Sequence, residues 1–204
     1  MKLQSMVRLA LLILLLSMPG LALAGQGDQV KVDPPKPLSQ FSLTDHMGAS
    51  FTKDELTGKW SLIMLGFTQC PDICPYTLQN LTFVMQEMSV RVRPDNLPQV
   101  IFIGVDPARD KAVLKDYVEA FSQDYIGATG EWEQIEKVVE SVGGFVRIDE
   151  KAYAGVEYQV YHSAFVVVID PQGRVVARLN PPMDPAASTI FLTTLMREHA
   201  RQTN

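Results

Sequence analysis

Two uninterrupted apolar runs of strand length, residues 61–67 (SLIMLGF) and 100–105 (VIFIGV), bracket a segment in which Leu78, Leu81, Met85 and Met88 recur at helical spacing. A strand without polar alternation must be covered on both faces, the condition met by a parallel sheet built from βαβ units. The chain is thereby confined to an α/β architecture, and the apolar stripe, methionines included, is assigned to the core.

The alternation continues along the chain. Leu114, Tyr117, Val118 and Phe121 form one further helical stripe, and Trp132, Ile135, Val139 and Val142 another. Residues 165–169 (FVVVI) read as a strand, 170–173 (DPQG) as a turn and 175–179 as the antiparallel return, before a closing helix through Ile190, Phe191 and Leu195. Upstream, 41–44 and 50–52 around a turn at 45–48 read as a short hairpin. The sum is a central mixed sheet with helices on both faces and an N-terminal β-hairpin extension.

At 47% hydrophobic and 20% charged over 204 residues, the chain carries enough apolar mass for a buried core, which excludes disorder. The formal charge of -5 and the lack of any Lys/Arg cluster exclude the electrostatic footprint of a nucleic-acid binder. Residues 1–24 place Lys2 and Arg8 before an apolar stretch that Pro19 and Gly20 interrupt, and end in Ala22, Leu23 and Ala24. This reads as an export signal. The rival reading is an uncleaved anchor, although the 16 residues from Leu9 to Ala24 fall short of the roughly 20 a spanning helix needs. Either way the domain is expected outside the cytoplasm, in a periplasmic or equivalent compartment. Residues 25–40 hold three prolines and two glycines and read as a flexible linker; residues 41–204 then make a single domain.

The only two cysteines, Cys70 and Cys74, fall where the first βαβ strand gives way to its helix, in the run Cys70-Pro71-Asp72-Ile73-Cys74-Pro75. Proline costs about 3 kcal/mol inside a helix but is accepted in the first turn, so the helix begins near residues 72–75 and both sulfurs lie at its positive end. Unpaired N–H groups there lower cysteine pKa values. Two thiolates one turn apart either close into a disulfide or clamp a soft metal ion. A structural staple is the weaker reading, because a bridge across so short a loop contributes little. Of the three histidines, His46 in the hairpin turn and His199 near the C-terminus read as solvated surface, whereas His162 stands at the entrance to the 165–169 strand, beside the expected helix start.

The run Gly66-Phe67-Thr68-Gln69-Cys70-Pro71-Asp72-Ile73-Cys74-Pro75, the block Val105-Asp106-Pro107-Ala108-Arg109-Asp110, and Tyr161-His162-Ser163 leading into Ile169-Asp170-Pro171-Gln172-Gly173 resemble the Sco/SenC family of cytochrome oxidase assembly proteins. The resemblance runs from about Phe41 to Met196 with all blocks in order. It implies a thioredoxin-like fold and an exported copper chaperone whose copper is held by Cys70, Cys74 and His162, the cysteines also forming a redox pair. Two thiolates and an imidazole suit Cu(I) and can hold Cu(II), while zinc with the same donors stays open. Where thioredoxins place a cis-proline before the strand facing the cysteines, this chain has His162, Ser163 and Ala164, which turns the site toward metal holding. Tyr161 stands where the family usually has Asp, leaving Asp72 as the nearest acidic candidate to orient the histidine, although helix capping is its expected task. Lys111 stands where Thr is usual, a neutral departure. Asp106 and Arg109 are expected either to brace their loop by a mutual bond or to touch a partner.

The leading expectation is a copper chaperone that delivers copper to the CuA centre of a cytochrome c oxidase subunit, with another copper chaperone or a thiol reductase as further partner and membrane association through the N-terminus. A thiol-disulfide oxidoreductase that keeps the acceptor cysteines reduced is the second, with Cys70 attacking and Cys74 resolving. A copper or redox sensor is the third. A mobile His162 loop, drawing on Gly143-Gly144 and residues 151–159, is expected to permit release.

Overall fold

The computed structural model describes residues 28–149 and 158–203, so the 1–24 segment and most of the 151–159 stretch lie outside the described residues. The elements run β1 (Gln29–Pro37), β2 (Ser42–Asp45), β3 (Ser50–Thr52), β4 (Ser61–Gly66), α1 (Ile73–Ser89), β5 (Gln99–Gly104), the one-turn α2 (Pro107–Asp110) and α3 (Leu114–Glu119). They continue with β6 (Ile126–Thr129), α4 (Trp132–Ser141), β7 (Val146–Ile148), β8 (Val160–His162), β9 (Val166–Ile169), β10 (Arg174–Leu179) and α5 (Pro185–Thr203). Eight strands form one sheet in the order β1-β10-β9-β4-β5-β6-β2-β3, and β7 pairs with β8 apart from it. The sheet is mixed: β4–β5 and β5–β6 are parallel, the other neighbours antiparallel.

Every residue of β4 is buried, as its unbroken apolar run demands. Strand alternation sends Leu62 and Met64 into one layer with Leu78 and Leu81 of α1 and Leu192 of α5. Ile63 and Leu65 enter the opposite layer with Ile135 and Val139 of α4 and Phe51 of β3. Each of these fully buried side chains contributes roughly 1.5–3 kcal/mol of burial. The central strand is thus held from both sides, and the βα junction at its end inherits that rigidity.

Three stretches depart from the sequence reading. The linker assigned to 25–40 contains β1, an edge strand antiparallel to β10 with Gln29 opposite Leu179 and Pro37 opposite Arg174. Its register shifts between Lys31 and Lys36, across Pro34 and Pro35, because prolines lacking an N–H are tolerated on an irregular edge. Leu38 and Phe41 then anchor the chain in the core, at 3% and 5% exposure. Strand β6 (IGAT) carries no β-branched alternation long enough to read, and its Gly127 lets Leu114 approach to where a Cβ would lie 2.7 Å away. His162 is not at the entrance of β9 but on β8, a separate short strand in register with Val146 of β7. Among the described residues no helix is long and apolar enough to cross a membrane.

Candidate metal centre

Strand β4 ends at Gly66, where a Cβ would lie 2.5 Å from Phe102 Cε2 and 3.0 Å from Cys74 Sγ; only glycine lets the backbone pass so close to the sulfur. The chain then turns through residues 67–72, with Cys70 N–H donating to the Phe67 carbonyl at 3.2 Å, and enters α1 with Pro75 in the first turn. Asp72 occupies the N-cap position but makes no side-chain capping bond, contrary to the expected role. Cys74 is wholly buried and Cys70 is 9% exposed, and the two are not joined in a disulfide.

The two sulfurs are not equivalent. The Cys70 thiolate accepts a hydrogen bond from the Cys74 thiol, which outweighs the cost of burial, and draws further support from the backbone N–H groups of Asp72 and Cys74 and from His162. Its pKa falls to about 5. Cys74 moves the other way: donating that hydrogen bond and lying buried both favour its protonated form. The helix terminus that predicted two low-pKa thiols therefore stabilises one thiolate, while its neighbour holds the proton.

His162 approaches from β8, its Nε2 3.6 Å from Cys74 Sγ. Its Nδ1 lies 3.0 Å from the Ser163 carbonyl oxygen, which can only accept, so Nδ1 donates there and Nε2 faces the sulfurs. That carbonyl takes the orienting role for which Asp72 was the expected candidate. The Phe67 ring meets the imidazole edge-on at 5.7 Å. Tyr161, one residue before, turns to the opposite side and lies 49% exposed under the Arg147 guanidinium, 4.6 Å from the ring centroid.

The ligating atoms of Cys70, Cys74 and His162 all lie within 4.8 Å of one another. Metal bonds of about 2.0–2.3 Å need only a small inward movement from that spacing, and two sulfurs with one imidazole nitrogen match a soft or borderline ion. Among the described residues this is the one such group.

Sequence reasoning missed the support beneath the site. Asp110 is fully buried; its Oδ1 accepts from Thr68 N–H at 2.7 Å and Thr68 Oγ1 at 2.8 Å, and its Oδ2 from Asp106 N–H at 2.9 Å. Burial pushes its pKa up. The expected Asp106–Arg109 bond is present, and Tyr158 joins it by donating from its hydroxyl to Asp106 Oδ1 at 2.7 Å. A lone Tyr158 gave no signal, whereas the Asp106-to-Asp110 block was a visible motif. The Gly143-Gly144 step is tied down rather than loose: Gly143 ends α4 at φ +63°, and Arg178 Nη2 donates to the Val142 carbonyl at 2.8 Å.

The other histidines are not the solvated groups expected. His46 Nδ1 accepts from Gly127 N–H at 3.1 Å, bracing the edge of β6. His199 packs edge-on against Trp60 at 5.1 Å with Nε2 2.6 Å from Gln172 Oε1.

Comparison with known proteins bears on what this group of donors is. The SCO1/SenC family model matches residues 31–197. The chain is 36% identical over 149 residues to Protein SCO2, mitochondrial, of Saccharomyces cerevisiae, spanning 71% of this chain and about half (48%) of that relative. It is 36% identical over 186 residues to the SCO2-like protein of Rickettsia felis, covering 89% of this chain and 87% of the relative. Among solved structures, yeast Sco1 with copper bound superposes with a TM-score of 0.73 at 32% identity, covering 80% of this chain and 90% of that one. Bradyrhizobium japonicum ScoI with copper bound gives 0.67 at 31% identity, covering 78% and 98%. A thioredoxin-like fold, the ordered motif blocks and a match across most of the described residues lead to one assignment: the chain belongs to the SCO1/SenC family.

Proposed function

We propose that this protein is an extracytoplasmic copper chaperone that holds copper through Cys70, Cys74 and His162 and passes it to the copper-accepting subunit of a cytochrome c oxidase, at its CuA centre. The observation that carries the reading is two cysteine sulfurs and a histidine ring nitrogen within 4.8 Å of one another where a buried strand gives way to its helix. Solved relatives at 31–32% identity hold copper, and a Stutzerimonas stutzeri relative at 30% identity is named a putative copper-binding protein.

Copper is the cargo. Cys70 offers a thiolate at neutral pH and captures the ion first; Cys74 gives up its proton as it becomes the second sulfur donor, with the attraction of the cation offsetting the burial that otherwise keeps it protonated. His162 supplies the harder nitrogen donor that suits Cu(II), and the Ser163 carbonyl holds its ring in the ligating tautomer. Release proceeds by exchange, acceptor cysteines replacing Cys70 and Cys74 in turn.

The same asymmetry supports a second activity, thiol-disulfide exchange on the acceptor, with Cys70 attacking and Cys74 resolving the mixed disulfide. Anaerobic copper loading of the reduced protein, followed by mixing with an apo copper-accepting oxidase fragment, decides between them. The chaperone reading expects one copper per chain that leaves faster for the fragment than for buffer. It is overturned if the protein retains no copper, or if the copper-free form reduces a fragment disulfide while the loaded form transfers nothing.

A further inference from the structure

We infer that Arg109 and Tyr158 are positioning residues: they lock the segment that delivers His162 onto the loop that carries Cys70, so that the three donors are brought together by a latch outside the donor set. The inference rests on the proposed copper-holding role of Cys70, Cys74 and His162.

The Arg109 guanidinium lies among groups from three separate stretches of chain. Its Nε pairs with Asp106, its own one-turn helix's N-cap, whose side chain is 2% exposed. Its Nη1 donates to Gln69 Oε1 at 3.0 Å, on the residue directly before Cys70. Its plane stacks 3.8 Å from the Tyr158 ring centroid and 5.8 Å from that of Phe67. The Tyr158 hydroxyl returns to the same carboxylate, donating to Asp106 Oδ1 at 2.7 Å. Asp106 therefore accepts from both latch residues, one on each oxygen.

The consequence concerns His162. Strand β8 begins two residues after Tyr158, and on its other flank it is held by the three-residue pairing with β7, with Gln159 and Ser163 at its two ends bonded to Asp149 and Phe145. A three-residue pairing outside the main sheet is a weak fixture on its own. Tyr158, four residues before His162, supplies the second fixed point, and Phe67, which touches both the Arg109 stack and the imidazole edge, closes the loop of contacts back to the metal centre. Arginine suits this role because its planar fork binds and stacks at once, which a lysine ammonium cannot do.

The test uses the full reduced protein with Tyr158→Leu, which leaves the Asp106–Arg109 pair intact, together with Tyr158→Phe, Arg109→Lys and Arg109→Gln. Cu(II) binding is read from the thiolate-to-copper charge-transfer band, Cu(I) binding by chelator competition, and stability from the copper-free melting curve. Tyr158→Leu and both Arg109 variants are expected to lose at least about 10-fold in Cu(II) affinity, the range for groups that orient a ligand. Cu(I), satisfied by the two sulfurs, is expected to change less than about 3-fold, and Tyr158→Phe to fall between wild type and Tyr158→Leu. An unchanged Cu(II) band in Tyr158→Leu overturns the latch, as does a parallel fall in Cu(I), Cu(II) and melting temperature, which would mark general destabilisation. If wild type forms no such band, the copper-holding reading fails and the latch is judged on the copper-free protein alone. Amide exchange at Val160 and His162 is then expected to quicken about 10-fold in Tyr158→Leu, and unchanged exchange rejects the latch.

Discussion

Strand β9 joins two ends of the molecule that treat histidine in opposite ways. Upstream of Val166, His162 spends Nδ1 on the Ser163 carbonyl and leaves Nε2 facing a sulfur 3.6 Å away. Downstream of Ile169, the buried Asp170 accepts from Gln172 N–H at 3.0 Å, Arg174 N–H at 2.9 Å and Arg174 Nε at 2.8 Å. There His199 lies 3.7 Å from Asp170 Oδ2, against Gln172 and edge-on to Trp60. His199 sets Nε2 against Gln172 and Asp170 and its ring against Trp60, whereas His162 turns Nε2 to the Cys74 sulfur in a half-buried site. The contrast separates a histidine that closes a turn from one that faces the cysteine pair.

The contrast breaks most sharply at Asp170. Asp170→Ala removes a buried carboxylate with several charge-assisted bonds and is expected to cost about 3 kcal/mol in chemical denaturation, while copper affinity stays within about 2-fold. A matching loss of copper would show that the two ends are coupled through β9. His162→Ala is the mirror experiment. It should lower Cu(II) affinity more than about 100-fold, or about 2.7 kcal/mol, since even groups that only orient a ligand cost 10–100-fold. His199→Ala should leave copper untouched and cost about 1 kcal/mol, lowering the melting temperature by roughly 2–4 °C.

Within the candidate metal centre the two sulfurs differ as well. With its pKa at about 5, Cys70 is a thiolate at neutral pH, and its alkylation by iodoacetamide in the reduced, copper-free protein should reach half its plateau rate near pH 5. Cys74, protonated and wholly buried, should stay unmodified through pH 9. Peptide mass spectrometry across that range reads both. Cys70 ionises more readily folded than unfolded, so its contribution to stability is complete above the ordinary thiol pKa of 9.0 and is lost as the pH falls from there through about 5. Equal labelling of both cysteines would remove the asymmetry on which ordered capture and exchange depend.

The βαβ core, the cysteines at the head of α1 and the approach of His162 were legible because each rests on a strong local rule: unbroken apolar runs, proline placement and motif order. The division of labour between the sulfurs was not. The helix terminus acts on both alike, and only burial of Cys74 behind Gly66 and its bond to Cys70 divide them. Strand β1 was hidden by its prolines, whose missing N–H groups matter little on an edge. Tyr158 was silent because a single aromatic residue has no period, and its contacts come from Asp106 and Arg109, about fifty residues earlier in the chain.

The smallest effect sharpens the reading of His199 through its neighbour. Glu198 reaches Lys31 of β1 at 2.5 Å, with the two side chains 43% and 51% exposed. Exposed pairs gain little over their hydration and are screened by salt, so Glu198→Gln should change stability by no more than about 0.5 kcal/mol, and by less still in 0.5 M salt. The adjacent His199→Ala should cost about twice that at either ionic strength, because packing against Trp60 is not screened. Adjacent positions on one helix would then differ by burial alone. A Glu198→Gln loss as large as the His199→Ala loss would mean instead that the ion pair, rather than the β1–β10 ladder and the buried Leu38, holds the edge strand in place.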